Sequence, residues 1–173
     1  MNAKSVVNSI FICAILFSGM MINDAYAAKT PVLWKYKVKG DFTTVVENLK
    51  SGLESSQFII TDEEHLSKGL ENNKDMLGGD AKWNTIGFDN VTSINFCSIV
   101  FNHEVFNVDM DLSFLCPFKV VLYNMKKSPK DITIITVRPT YLLKHGRARN
   151  KKIGRKIEKR IIEAIKSGVK LEM

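Results

Sequence analysis

Residues 94–123 constrain the fold most, because their pattern predicts two strands joined by a short helix, with a cysteine near each strand. In the first strand, Ile94 and Phe96 share one face, which places Cys97 on the opposite, more polar face at the strand's exit. Pro117 fits the start of the second strand, where its missing N–H costs least. The second strand is apolar on both faces, which is typical of a central strand, so this unit predicts the middle of a sheet.

Several short motifs in and around this unit resemble one bacterial family, the domain of unknown function 302. The matching positions, which need no gap between Phe96 and Pro117, are Phe96-Cys97, Asp109, Pro117 and Val120-Val121-Leu122-Tyr123. Further matches at Gly40-Asp41-Phe42, Phe58, Arg138-Pro139 and Leu142 extend the resemblance over roughly residues 36–143. That family has no agreed activity, so the resemblance implies a fold and leaves the chemistry open.

The chain departs from the family's pattern at three places. Ser98-Ile99 stands where the family has Asn-Pro, which removes a tight polar turn. The family's second cysteine would fall on Phe118, whereas this chain has Cys116, two residues earlier and on the same face of the strand. Gln57 replaces the glycine expected at the exit of the first helix. If the family binds a ligand at this surface, the surface is altered here.

The first 27 residues have the pattern of a secretory signal peptide. Lys4 supplies the positive start, an apolar run follows from 6 to 22, and Ala25-Tyr26-Ala27 is a small-x-small cleavage pattern. We therefore expect export to the periplasm or the medium, with a mature chain that begins at Ala28. The remaining chain divides into an α+β domain over residues 28–146 and a basic amphipathic helix over residues 147–173.

The predicted elements alternate in a way that indicates an α+β fold. They are a strand at 32–39, a helix begun by Asp41, a strand at 57–61, a short acidic helix capped by Asp62, a loop at 72–90, the central unit, a hairpin loop at 126–130, a strand at 132–137 and a helix from about 148 to 167. We predict a single mostly antiparallel or mixed sheet, with helices packed on one face and a basic C-terminal helix.

The two cysteines of the central unit raise three chemical alternatives. A disulfide between Cys97 and Cys116 would close a loop of about 20 residues and stabilise the fold by roughly 3 kcal/mol, and two free thiols are the other structural outcome. A zinc site built from these cysteines and His103 matches no common ligand spacing and lacks a fourth ligand, so we predict no metal site. Nothing in the sequence fixes a nucleophilic pair of Cys97 and His103.

A candidate ligand surface includes the same positions and the end of the last strand. Its residues are Cys97, Ser98, His103, Cys116, Arg138 and Tyr141. Arg138 and Tyr141 flank Pro139, where a guanidinium and a phenol could bind an oxyanion, although an ordinary surface arginine and a half-packed tyrosine explain the pattern as well. No catalytic motif is present, so the sequence does not favour an enzyme, and it identifies no cofactor.

The C-terminal helix carries the chain's excess of positive charge. Residues 144–173 hold 11 Lys and Arg against 3 Glu, a net charge of +8, whereas the whole chain has +7. Isoleucines fill one half of the helix, and the opposite half includes Lys152, Arg155, Lys156 and Lys159. This face is either merely solvated or binds an anionic lipid surface or an acidic protein, and nucleic acid is disfavoured for an exported chain.

Two functional hypotheses follow from the sequence. The first is an exported, non-catalytic module that binds a small ligand or a partner. The second is an interaction protein that acts through its basic C-terminal helix on an anionic membrane surface or an acidic partner. A homodimer is compatible with either hypothesis.

Overall fold

Five strands form one sheet in the computed structural model, which describes residues 31–170. They are β1 (Leu33–Lys39), β2 (Ile59–His65), β3 (Phe88–Cys97), β4 (Phe118–Met125) and β5 (Ser128–Val137). The helices are α1 (Phe42–Ser55), α2 (Leu66–Asn72), α3 (Ile99–Phe106), α4 (Pro139–Leu142) and α5 (Ala148–Val169), and a 3-10 helix (Met110–Leu115) precedes β4. The predicted signal peptide and its cleavage site lie outside the described residues.

The sheet order is β1-β5-β4-β3-β2, and all neighbouring strands are antiparallel. The α+β prediction is therefore confirmed in its antiparallel form. Strand β4 lies in the centre, as its apolar faces predicted, and β1 and β2 form the two edges.

Helices α1 and α5 pack on one side of the sheet, which we call the inner face. The buried residues of this core include Leu49, Leu53, Ile94, Phe96, Val120, Leu122, Ile132, Ile134, Ile157, Ile161 and Ile165. On the other side, the outer face, Val121, Tyr123 and Ile135 are only half-buried, while Lys35 and Lys119 are exposed. The alternation of each strand explains this division, because successive side chains point to opposite faces.

The two long helices cross at Gly52 of α1 and Gly168 of α5. A Cβ atom at Gly168 would collide with the backbone carbonyl oxygen of Asn48, so the approach requires a residue without a side chain. Residues 147–170 of the predicted C-terminal unit therefore pack in the same core as the rest of the described chain.

The predicted N-cap of α1 is confirmed, because the Thr44 N–H donates to the Asp41 carboxylate at 3.0 Å.

The predicted acidic helix after Asp62 is wrong. Strand β2 runs to His65 because it pairs with β3 as far as Thr92, with a bulge between Ile60 and Asp62, and the helix begins only at Leu66. The bulge shifts the side-chain alternation, so β2 lacks the strict alternation of apolar and polar residues that would have indicated a strand.

Two other strand boundaries differ from the prediction. Strand β5 begins at Ser128 within the predicted hairpin loop, because Ser128 pairs with Met125 of β4. Strand β3 begins at Phe88, inside the stretch that we predicted to be mainly loop. Pairing with Met125 of β4 therefore extends both strands beyond their apolar patterns.

Gln57 lies in the left-handed backbone region, with a φ of 65°. This conformation favours glycine, which is the residue that the family resemblance implied at this position. The Gln57 side-chain oxygen accepts a hydrogen bond from Arg160 of α5 at 3.1 Å. This bond links the segment after the C-terminal end of α1 to α5.

Candidate functional site

Cys97 and Cys116 form a disulfide at one end of the sheet. Cys97 is the last residue of β3, and Cys116 lies just before β4, with 5.6 Å between their Cα atoms. The strand register brings them together, because Phe96 pairs directly with Phe118. Both sulfur atoms are consumed in this bond, so neither is available as a thiolate nucleophile or a metal ligand.

Ser98 and His103 have different environments within the central unit. Ser98 is buried and caps α3, since its hydroxyl oxygen accepts the Phe101 N–H at 3.5 Å. His103 is exposed on α3, and the Asn102 amide lies 3.5 Å from the Cys116 sulfur. Between residues 31 and 170 there is no group of three residues that could hold a metal ion.

The exposed side of this unit is unusually apolar. Phe101 and Val105 of α3 are buried, but several other apolar residues are not. Those with large exposed fractions are Ile99 at 69%, Met110 at 63%, Phe114 at 60% and Val100 at 55%. Phe106 of the same helix is also exposed, because α3 buries only Phe101 and Val105.

Arg138 forms an ion pair with the buried carboxylate of Glu158. Its Nε and Nη2 atoms lie 2.8 Å and 2.6 Å from the Glu158 Oε1 atom, and the Glu158 side chain is 8% exposed. The other Glu158 oxygen accepts hydrogen bonds from the Thr140 N–H at 3.0 Å and from the Thr140 hydroxyl. An oxyanion at Arg138 would therefore have to compete with Glu158.

The protonation of Glu158 reflects these contacts. Burial alone would raise the pKa of this carboxyl group, but hydrogen bonds from Arg138 and Thr140 together outweigh burial, so its pKa lies below the ordinary value. Sequence reasoning missed Glu158, although an acidic residue inside the isoleucine face of a basic helix was a usable signal. Tyr141 is half-buried, and the Lys144 ammonium lies 3.9 Å from its ring centroid.

The basic side of α5 is exposed as predicted, but its four named residues differ in their contacts. Lys156 forms an ion pair with Glu104 of α3, and Lys159 lies 3.8 Å from Glu163. Within the described part of the chain, Lys152 and Arg155 form no ion pair, so their charges face solvent.

A groove lies along β1, and it was not among the predicted site positions. Its volume is about 980 Å³, and its lining includes Lys35 and Lys37 together with Tyr123 and Met125 of the outer face. On the inner side of β1 it reaches Val38 and neighbouring residues. The alternating lysines of β1 were visible in the sequence, but only the strand order places them in one groove with Tyr123, across β5.

A single antiparallel sheet with two long helices on its inner face and a disulfide at one end defines a small α+β domain. The chain belongs to the family described as Domain of unknown function DUF302, whose model matches residues 34–168. This match confirms the resemblance that the motifs gave and extends it through most of α5. Within the described residues, no helix is both long and apolar enough to cross a membrane.

The chain is similar to a solved structure, the crystal structure of an uncharacterized conserved protein DUF302 from Bacillus stearothermophilus. It has a TM-score of 0.65 and 19% sequence identity, and the match covers 79% of this chain and 97% of that chain. At this identity the likeness shows the fold alone. No curated protein matches the chain.

Proposed function

We propose that this chain is an exported, non-catalytic binding module whose binding surface is the groove along β1. Export rests on the signal-peptide pattern that ends at Ala27, and a disulfide is the kind of bond that persists in oxidising compartments. N-terminal sequencing of exported protein should give Ala28 as the first residue.

The observation that carries the proposal is the composition of the groove. Its volume of about 980 Å³ is in the range of small-ligand sites. Tyr123 and Met125 supply half-buried contact area, while Lys35 and Lys37 supply positive charge. Such a surface favours a ligand or segment with both apolar and anionic groups. Three residues of the ligand surface that the sequence predicted already have structural partners, namely Cys97, Ser98 and Arg138.

The test is a fragment screen by ¹H–¹⁵N correlation spectroscopy on the mature chain. Anionic aromatic fragments should shift the amide signals of β1, β4 and β5 around the groove, and Tyr123→Ala should abolish these shifts. Tyr141→Ala is the matched control, because Tyr141 is also half-buried but lies after β5 and outside the groove. Fragments that bind only near the disulfide, or nowhere, would contradict the groove as the binding surface.

A second candidate function is favoured by the exposed charge of α5. Lys152 and Arg155 lie near the Lys156–Glu104 pair, and Val100 lies one helical turn from Glu104 on the exposed side of α3. Exposed basic and apolar residues side by side are typical of a surface that binds anionic lipid headgroups.

This candidate is tested without deleting α5, because α5 forms part of the core. Mature protein should sediment with phosphatidylglycerol vesicles at low salt, and Lys152→Gln with Arg155→Gln should reduce the bound fraction. Lys126→Gln with Lys127→Gln removes the same charge from the exposed β4–β5 turn and should have no effect. Equal binding by both double variants would contradict a role for α5.

A further inference from the structure

Strand β1 is an edge of the sheet, with no strand on its far side among residues 31–170, and this free edge has a defined hydrogen-bonding pattern. The Arg138 N–H donates to the Val32 carbonyl at 2.9 Å, and the Gly40 N–H donates to the Lys130 carbonyl at 3.1 Å. Antiparallel pairs alternate between residues that bond to the neighbouring strand and residues that point their N–H and C=O groups away from it. Even-numbered residues of β1 therefore bond to β5, and residues 33, 35, 37 and 39 direct their backbone groups outward.

Three of these four outward residues are lysines. Lys35, Lys37 and Lys39 also share the outer face, because their side chains have the same parity along the strand. Lys39 lies 3.5 Å from Asp131, whereas Lys35 and Lys37 have no ion pair in the part of the chain that the structure describes. The free backbone edge thus coincides with a row of exposed positive charge.

The inner side of the same strand is apolar. Tyr36 and Val38 are half-buried against the core, and Val169 of α5 lies beside them in the groove. The groove extends round both sides of β1, from the lysines on the outer face to these apolar residues. An added strand would fill a groove of this form, because its alternate side chains fall on opposite faces of the sheet.

We propose that β1 binds an extended segment of a partner protein by strand addition, and that this segment alternates acidic and apolar residues. The inference rests on the proposed binding function and names its partner class. The acidic side chains would lie opposite Lys35 and Lys37, and the apolar ones would contact Tyr36 and Val38. A second copy pairing through its own β1 would place lysines opposite lysines, which is unfavourable.

The test measures fluorescence anisotropy of a labelled nine-residue peptide of alternating Glu and Val with the mature chain. A peptide of alternating Lys and Val is the charge control and should not bind. Lys37→Gln should weaken binding up to about fivefold by removing one surface charge. Lys37→Pro removes the same charge and also the outward N–H, so it should weaken binding by a further factor of about ten.

The comparison of these two variants separates strand addition from simple charge attraction. Equal affinities of Lys37→Gln and Lys37→Pro would overturn the proposal, as would no binding of the Glu-Val peptide at low salt. Lys68→Gln removes one exposed charge from α2, which follows β2 at the opposite edge of the sheet, and should leave the affinity unchanged. If Lys37→Pro does not fold, a Glu-Val peptide that is N-methylated at its glutamates replaces it. This peptide keeps every charge but loses the N–H groups that would bond to β1, so it should bind at least about tenfold more weakly than the unmethylated peptide.

Two further outcomes keep this inference distinct from the proposed function. If the peptide does not bind while fragments still map to the groove, strand addition is wrong and the small-ligand module stands. If light scattering shows a dimer that Lys37→Pro converts to a monomer, the occupant of β1 is a second copy and the partner segment is wrong.

Discussion

Replacing Glu158 by glutamine should destabilise the fold strongly, although the side chain keeps its shape. The carboxylate accepts hydrogen bonds from Arg138 through one oxygen and from Thr140 through the other. An amide has only one acceptor oxygen, so either Arg138 or Thr140 would face an N–H donor instead. Removing one partner of a buried ion pair costs about 3–5 kcal/mol.

The lower end of that range applies here, because the Arg138 side chain is 25% exposed and can regain some hydration. For a domain of this size, each kcal/mol lowers the melting temperature by roughly 3 °C, so Glu158→Gln should melt about 10 °C lower. Thermal unfolding by circular dichroism at pH 7 measures this difference. The matched control is Glu163→Gln on the same helix, whose side chain is 62% exposed and lies 3.8 Å from Lys159. It should cost less than about 0.5 kcal/mol.

The difference in melting temperature between the original chain and Glu158→Gln should also become smaller as the pH falls. The pKa of Glu158 in the folded chain lies below its ordinary value of 4.5, so the unfolded chain binds the proton more readily. The stabilisation is therefore complete above about pH 4.5 and is lost as the pH falls through the folded-state pKa. A drop no larger than that of Glu163→Gln, or a gap that does not narrow in acid, would refute this account of Glu158.

Three further predictions concern the stability of the domain. Gly168→Ala should destabilise it by about 2 kcal/mol or more because the new methyl group meets the backbone of α1, whereas Gly69→Ala, with open space around it, should be neutral or slightly stabilising in the same thermal melts. Reducing the Cys97–Cys116 disulfide should lower the free energy of unfolding in urea by about 3 kcal/mol, because a loop of 19 residues is released, and an unchanged urea midpoint would contradict this. Gln57→Gly should raise the melting temperature by a few degrees, because about 1 kcal/mol of left-handed backbone strain disappears. A lower melting temperature would contradict this and would show that the contact of Gln57 with Arg160 stabilises the fold more than the strain destabilises it.

Local sequence patterns predicted the elements that depend mainly on their own residues. Asp41 predicted the start of α1, and the apolar faces of β4 predicted its central position. The end of β2 could not be predicted from the sequence. The bulge after Ile60 depends on pairing with β3, which is distant along the chain.

The candidate site was harder to predict because it depends on strand order. The sequence showed the lysines of β1 and the tyrosine of β4, but only pairing of β1 with β5 brings Lys37 near Tyr123. The pairing of Arg138 with Glu158 likewise joins residues 20 positions apart on different elements. The disulfide was left open for the same reason, since the register of β3 on β4 decides whether the two cysteines meet.

Amide exchange of β1, measured residue by residue by NMR with and without saturating Glu-Val peptide, tests the central claim most directly. Binding along β1 predicts slowed exchange at the outward amides of Lys35, Lys37 and Lys39. The amides of Tyr36 and Val38, already bonded to β5, should change little. Unchanged exchange at the three lysines, or protection confined to the disulfide end of the sheet, would contradict the claim that β1 binds an extended segment by strand addition.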